Sequence, residues 1–164
     1  MIEQTTRERT IRWDDPKAFV EATRGLSGIE ALRLALEPGA SLAPIGTLMN
    51  FRLVEVNEGH VVFEGEPAEY HYNPIGLVHG GFALTLMDSA LGCAIHSSLA
   101  AGVGYASTDL QLRFVRPITG DTGLVRCEGR TVHLGRTTAI AEGRLTDAGG
   151  KLLATGTTAC AIFR

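Results

Sequence analysis

Between Glu69 and Asp109 the chain carries one formally charged side chain, Asp88, set in an apolar run that extends from Ile75 to Leu99. A stretch this apolar has to be enclosed by the rest of the molecule. A carboxylate within it is costly to bury unless it is paired or put to chemical use. Gly76, His79, Gly80, Gly81 and Asp88 make the run a poor membrane span, and it reads as a buried helix with a glycine-rich entrance. Helical phase places Leu84, Asp88, Leu91 and Ile95 on one stripe. That stripe predicts that Asp88 points where the helix packs.

The flanking segments follow other periods. Asp14, Asp15 and Pro16 open a short helix, and a second runs from about Gly28 to Leu36 before Pro38 and Gly39 stop it. Residues 40–47 read as a loop. From Leu48 two strands flank the turn Asn57-Glu58-Gly59, with Phe51, Leu53 and Glu55 on one side and Val61 to Glu64 on the other. Beyond the long helix come four strand-like runs, Tyr105 to Val115, Leu124 to Val132, Thr137 to Thr146 and Lys151 to Phe163. They are joined by turn-like sequences at Thr119-Gly120-Asp121, His133-Leu134-Gly135 and Asp147 to Gly150. Strands linked by short turns imply an antiparallel sheet, so the expected class is α+β, with the sheet wrapped around one long central helix. At 164 residues the chain suits one domain, read as a helical extension over 1–40 and a main domain over 41–164.

Composition narrows the function classes. With 45% hydrophobic and 20% charged residues and a net charge of −3, nothing favours nucleic acid or an anionic membrane as a partner. Residues 1–40 lack a basic cluster, and Met1 to Asp15 lacks the apolar core of a signal peptide. Cys93, Cys127 and Cys160 are widely separated, which predicts buried, reduced thiols in a cytoplasmic protein. His60, His71, His79, His96 and His133 show no close metal-ligand spacing, so no metal is expected. The Gly-x-Ser-x-Gly elbow of α/β-hydrolases is absent, and Gly102-Val-Gly104 lacks the rest of a dinucleotide fingerprint.

His79-Gly80-Gly81 leads directly into the long helix, whose first N–H groups are unsatisfied and lie at the positive end of its dipole. That end can polarise a carbonyl oxygen gaining charge; equally, the glycines can simply let the helix enter a crowded core. Eight residues separate Gly80 from Asp88, about 12 Å along a helix and too far for both to touch one reacting centre. Two helices packed antiparallel across a two-fold axis would bring Asp88 of one chain to the Gly80 end of the other. The alternative is a carboxylate that only pairs, with Thr85 or His96.

The run Asn73-Pro-Ile-Gly-Leu-Val-His79-Gly-Gly-Phe-Ala-Leu-Thr85-Leu-Met-Asp88, followed by Ser107-Thr-Asp-Leu-Gln-Leu-Arg-Phe-Val-Arg-Pro117, resembles the hotdog-fold acyl-CoA thioesterases of the PaaI-like (phenylacetate pathway) group. The similarity extends from about Ser41 to Phe163. It implies a single hotdog fold, a homodimer as the minimal active unit with further assembly to a homotetramer, and hydrolysis of an aryl- or medium-chain acyl-CoA without a separate cofactor. Gly80 would then offer its N–H to the thioester oxygen, and Asn73 would add a contact or place the water. Asp88 from the partner subunit would act as general base or nucleophile. Ser107 matches a position that helps orient the water in some members.

The resemblance also puts His79, Gly81 and Phe82 beside the substrate, with the His79 ring holding the turn rather than moving protons. Arg116, and Arg136 beside Thr137, match regions that often meet the nucleotide; read simply as residues, they are equally solvated strand ends. Competing activities on the same fold are an enoyl-CoA hydratase or dehydratase using His79 and Asp88, and a non-catalytic acyl-CoA-binding protein. The acyl pocket is expected near Leu48, Met49, Phe82 and Tyr105.

Overall fold

The computed structural model describes residues 5–40 and 43–164. Asp15 accepts the Lys17 N–H at 2.9 Å and Pro16 takes the first helical position, so helix α1 (Pro16–Ala22) starts where the acidic pair and the proline place it. In α2 (Gly28–Leu34) the Glu30 carboxylate accepts from both the N–H and the hydroxyl of Ser27, at 2.8 and 2.6 Å. The stretch read as a loop over 40–47 is corrected in part. Helix α3 (Pro44–Met49) forms there, opened by Pro44 and ended by Asn50 in the left-handed region at φ 57°. Ser41 and Leu42 of that stretch lie outside the described residues. Because α3 uses Leu48 and Met49, the first strand begins only at Phe51.

Strands β1 (Phe51–Asn57), β2 (His60–Gly65), β3 (Gly104–Phe114), β4 (Val125–Leu134), β5 (Thr138–Asp147) and β6 (Leu152–Phe163) form one sheet in the order β1-β2-β4-β5-β6-β3, with every neighbouring pair antiparallel. The α+β arrangement expected from the turn spacing is therefore present. One joint moves: β4 continues through His133 and Leu134, and the chain reverses where the Gly135 N–H donates to Thr138 O at 2.8 Å.

Helix α4 (Gly80–His96) lies across the sheet. Its sealed face consists of Phe82, Ala83, Leu86, Met87, Ala90, Leu91, Ala94 and Ile95, each at most 1% exposed. Asp88 is exposed and Leu84 only half-buried, so the predicted stripe is corrected. The helix is apolar on nearly every side, and period alone could not say which side meets the sheet. The sheet decides it through three glycines paired across neighbouring strands, Gly129 with Gly143 and Gly143 with Gly156. A Cβ on Gly129 would sit 2.3 Å from Ala90 O, and one on Gly143 would sit 2.8 Å from Met87 Sδ. This bare strip lets α4 lie against the strands. A second close approach holds the N-terminal helices: the Gly28 N–H donates to Leu99 O at 3.0 Å, and a Cβ there would meet His96 O. Among the described residues, no helix is long and apolar enough to cross a membrane.

Two histidines make this packing sensitive to acid. Burial, and then the Arg9 charge, lower the pKa of His71, while burial alone lowers that of His96. His71 Nδ1 accepts the Ala68 N–H at 3.0 Å, a bond that needs the neutral ring. Below the ordinary histidine value of 6.5 the unfolded chain takes up protons that the folded chain refuses. Stability is accordingly complete above that pH and declines as the pH falls through the folded values. Thermal melts between pH 7 and 5 should show the midpoint dropping, with a shallower drop in His71→Gln; a midpoint independent of pH would refute this.

Candidate active site

The approach to α4 is built around Asn73. Its side-chain oxygen accepts the N–H groups of Ile75 and Leu77, both at 3.1 Å, and its own N–H donates to Leu77 O at 2.7 Å. The Asn73 oxygen is therefore committed to closing the loop, which leaves its amide nitrogen as the group available to a ligand. His79 caps α4: Nδ1 accepts the Gly81 N–H at 2.9 Å, while the His79 N–H donates to His71 O at 2.7 Å. The ring holds the turn, and the same bond occupies the Gly81 N–H. The Gly80 N–H, by contrast, meets no acceptor among the described residues. It is a free donor at the positive end of a 17-residue helix.

Gly80 opens onto a cleft of about 420 Å³ that Asn73, His79, Phe114, Arg116 and Pro117 also line. A Cβ on Gly80 would come within 2.8 Å of the tip of the Phe114 ring, which would have to move to admit any side chain there. Phe82 does not belong to the cleft. At 1% exposure it is sealed in the core, its ring 4.7 Å from that of His71. The acyl-pocket residues suggested with it also scatter: Leu48 is exposed, Met49 packs on the core edge, and Tyr105 lies against His96.

Asp88 stands on the outward side of α4, where its Oδ1 accepts the Ser107 hydroxyl at 3.0 Å. Neither partner considered from the sequence takes that role. Thr85 donates to Gly81 O at 2.8 Å, and the His96 ring lies 5.5 Å from that of Tyr105. Ser107 is aimed by a bulge: the register of β3 on β6 slips between Ser107 and Asp109, and the Asp109 carboxylate pins it by accepting the Ala159 N–H at 3.0 Å. Burial, reinforced by the Asp88 charge, pushes Cys93 up to about 12, and burial likewise raises Cys127 and Cys160.

The two arginines lie at opposite ends of the sheet. Arg116 donates to Leu152 O, two residues beyond the Phe114–Ala154 pair and beside the Gly80 cleft. Arg136 and Thr137 are exposed in the β4–β5 turn, where Thr137 O accepts the Ile162 N–H at 3.0 Å, level with Tyr105 near the Ser107 end. Within one chain, therefore, Asp88, Ser107, Arg136 and Thr137 gather toward one end, and Asn73, His79, Gly80 and Arg116 toward the other. Among the described residues, no cluster of His, Cys, Asp and Glu has the arrangement of a metal site.

A model of the thioesterase superfamily matches residues 75–154, which run from the loop before α4 into β6. A putative esterase from Halobacterium salinarum is 39% identical over 69 residues, 41% of this chain; the chain thus spans only 44% of that relative. A 1,4-dihydroxy-2-naphthoyl-CoA hydrolase from Listeria monocytogenes is 25% identical over 105 residues, covering 64% of this chain and 84% of that protein. The long helix enclosed by a six-stranded antiparallel sheet is the hotdog arrangement, and over residues 75–154 the chain is similar to the thioesterase superfamily.

Solved structures share this fold. A putative thioesterase of Ralstonia eutropha, a phenylacetic acid degradation-related protein, superposes with a TM-score of 0.67 at 26% identity, over 75% of this chain and 93% of that one. The smu.793 protein of Streptococcus mutans, solved with acetyl CoA bound, superposes with a TM-score of 0.63 at 26% identity, over 70% and 89% of the two chains. The chain thus resembles the PaaI-like thioesterases in fold as it does in its Asn73 to Asp88 motif.

Proposed function

We propose that the protein hydrolyses an acyl-CoA to a carboxylic acid and free coenzyme A, in a site that two copies of the chain share. The observation that carries this reading is the division of one set of groups between two places. A carboxylate held by Ser107 and a free Gly80 N–H lie on one helix, separated by about 12 Å. The edge of β3 supports a two-fold partner. It is the last strand in the sheet, 11 residues long and largely exposed. Antiparallel pairing of two β3 edges about a point between Leu110 and Gln111 sets Ser107 of one chain opposite Phe114 of the other. Ser107 is the neighbour of Asp88 and Phe114 the neighbour of Gly80, so the same axis brings the carboxylate to the free N–H. It also brings Arg136 toward Arg116.

In that site the Gly80 N–H and the Asn73 amide polarise the thioester carbonyl. Asp88, with Oδ1 fixed by Ser107, takes the proton of the attacking water through its other oxygen. The tetrahedral intermediate collapses by losing the coenzyme A thiolate, and the proton on Asp88 is returned to it. Arg116 and Arg136 would meet the phosphates of the coenzyme. The double variant Arg116→Ala/Arg136→Ala should raise KM for acyl-CoA and leave kcat nearly unchanged, and a selective fall in kcat would argue against that role.

Mixing two inactive proteins tests the shared site. Dimers formed at random from Asp88→Asn and Gly80→Val chains contain one intact site in half of the molecules, restoring about a quarter of wild-type coenzyme A release. A site built from one chain would restore none.

A further inference from the structure

We infer that Phe114 is a further residue of the shared site, where its ring walls the reacting thioester and keeps water from the Gly80 N–H that polarises it. The inference rests on the hydrolase reading above and adds a residue to that site.

Phe114 is the last residue of β3, paired with Ala154. Beyond it the N–H groups of Val115 and Arg116 both donate to Leu153 O, at 2.8 and 3.1 Å, so the chain leaves the regular ladder there. The ring is thereby set against the start of α4. Its Cζ, Cε1 and Cε2 atoms lie 2.8, 3.3 and 3.5 Å from where a Cβ on Gly80 would be, a gap too narrow for water. In a helix the Cα–Cβ direction tilts toward the N-terminus, the end to which the first N–H groups also point. A ring that fills the Cβ space therefore borders the oxygen that the Gly80 N–H binds.

Exposure separates this contact from ordinary packing. Phe114 is 55% exposed on the protomer and takes no part in its core. The two-fold pairing of β3 edges covers its open side, because it sets Phe114 opposite Ser107 of the other chain, and Ser107 holds Asp88. Each ring then has the free N–H of its own chain on one side and the carboxylate of the other chain across from it. The thioester carbonyl has to lie between those two groups, and so against the ring. With water kept off that flank, the oxygen gaining charge is the acceptor that the Gly80 N–H meets.

Coenzyme A release from acetyl-, hexanoyl- and benzoyl-CoA tests this in the dimeric protein. Phe114→Ala should lower kcat about tenfold for all three esters and leave KM within about twofold, because the ring meets the reacting carbonyl rather than the acyl tail or the coenzyme. The melting temperature should hardly change. Phe114→Leu, which keeps apolar bulk, should regain most of the rate. If Phe114→Ala no longer dimerises by light scattering, Phe114→Gln, of similar length but polar, carries the test with the same expected loss. A loss that grows with acyl size, a Leu variant as slow as the Ala variant, or a Phe114→Ala protein as fast as wild type overturns the inference.

Mixing assigns the ring to its half of the site. Random dimers of Phe114→Ala and Asp88→Asn chains contain intact sites and should give about a quarter of wild-type release, whereas Phe114→Ala mixed with Gly80→Val should give only about a twentieth. About a twentieth from both mixtures, or the reverse ranking, means that Phe114 does not serve the Gly80 end. Failure of the wild type to cleave any ester, or of Asp88→Asn and Gly80→Val to complement each other, overturns the reading on which the inference rests.

Discussion

Asp88→Asn should lower kcat for acyl-CoA hydrolysis by about 10²–10⁴-fold, the usual contribution of a positioned general base. The substitution keeps the shape of the side chain and its capacity to accept the Ser107 hydroxyl, but it cannot take a proton from water at neutral pH. The protein should still fold, because Asp88 is exposed on the protomer and supports none of the core. Ser107→Ala should cost less, about tenfold, since it removes one charge-assisted hydrogen bond and leaves the base in place. Coenzyme A release, measured beside a thermal melt, separates the two effects. An Asp88→Asn protein that turns over as fast as wild type would sink the mechanism.

The largest expected effect on stability lies far from that carboxylate. Gly129→Ala puts a methyl group 2.3 Å from Ala90 O and 3.0 Å from Leu91 N, both backbone atoms in the middle of α4. Neither can yield without moving the helix. The expected cost is about 3 kcal/mol or more, a fall of roughly 6–12 °C in melting temperature, with insoluble expression as the extreme. Gly156→Ala is the control. Its contacts are chiefly the Leu112 and Met87 side chains and Gln111 O, at 2.9 to 3.0 Å, and two of these three can shift. Melting curves for both proteins check the ranking, and a Gly129→Ala protein as stable as wild type would mean that α4 does not rest on this strip.

Residue pattern alone went a long way toward the elements. The Asp15-Pro16 cap, the hairpin at Asn57 to Gly59, and the four strands after Gly104 lie within a few residues of where local chemistry puts them. What it missed shares one property. Helix α3 was obscured because its signals, Pro44 at the start and Asn50 at the end, sit amid residues with no helical period. The resemblance puts Phe82 beside the substrate, but it lies two residues from Gly80, about 200° around the helix, and its side chain is sealed in the core. The glycine strip is visible in sequence as Gly129, Gly143 and Gly156, but only the strand register aligns them.

By itself, then, the sequence determined that an apolar helix must be enclosed, that strands with tight turns enclose it, and that Asp88 is the lone charge on it. Hydrophobic period, caps and turn residues act over a few positions and are legible there. Only the tertiary structure decided which side of α4 meets the sheet, that Ser107 and not Thr85 or His96 holds Asp88, and that Arg116 and Arg136 stand at opposite ends. Those outcomes depend on strand register and on close approach between segments distant in the chain, which no local pattern encodes.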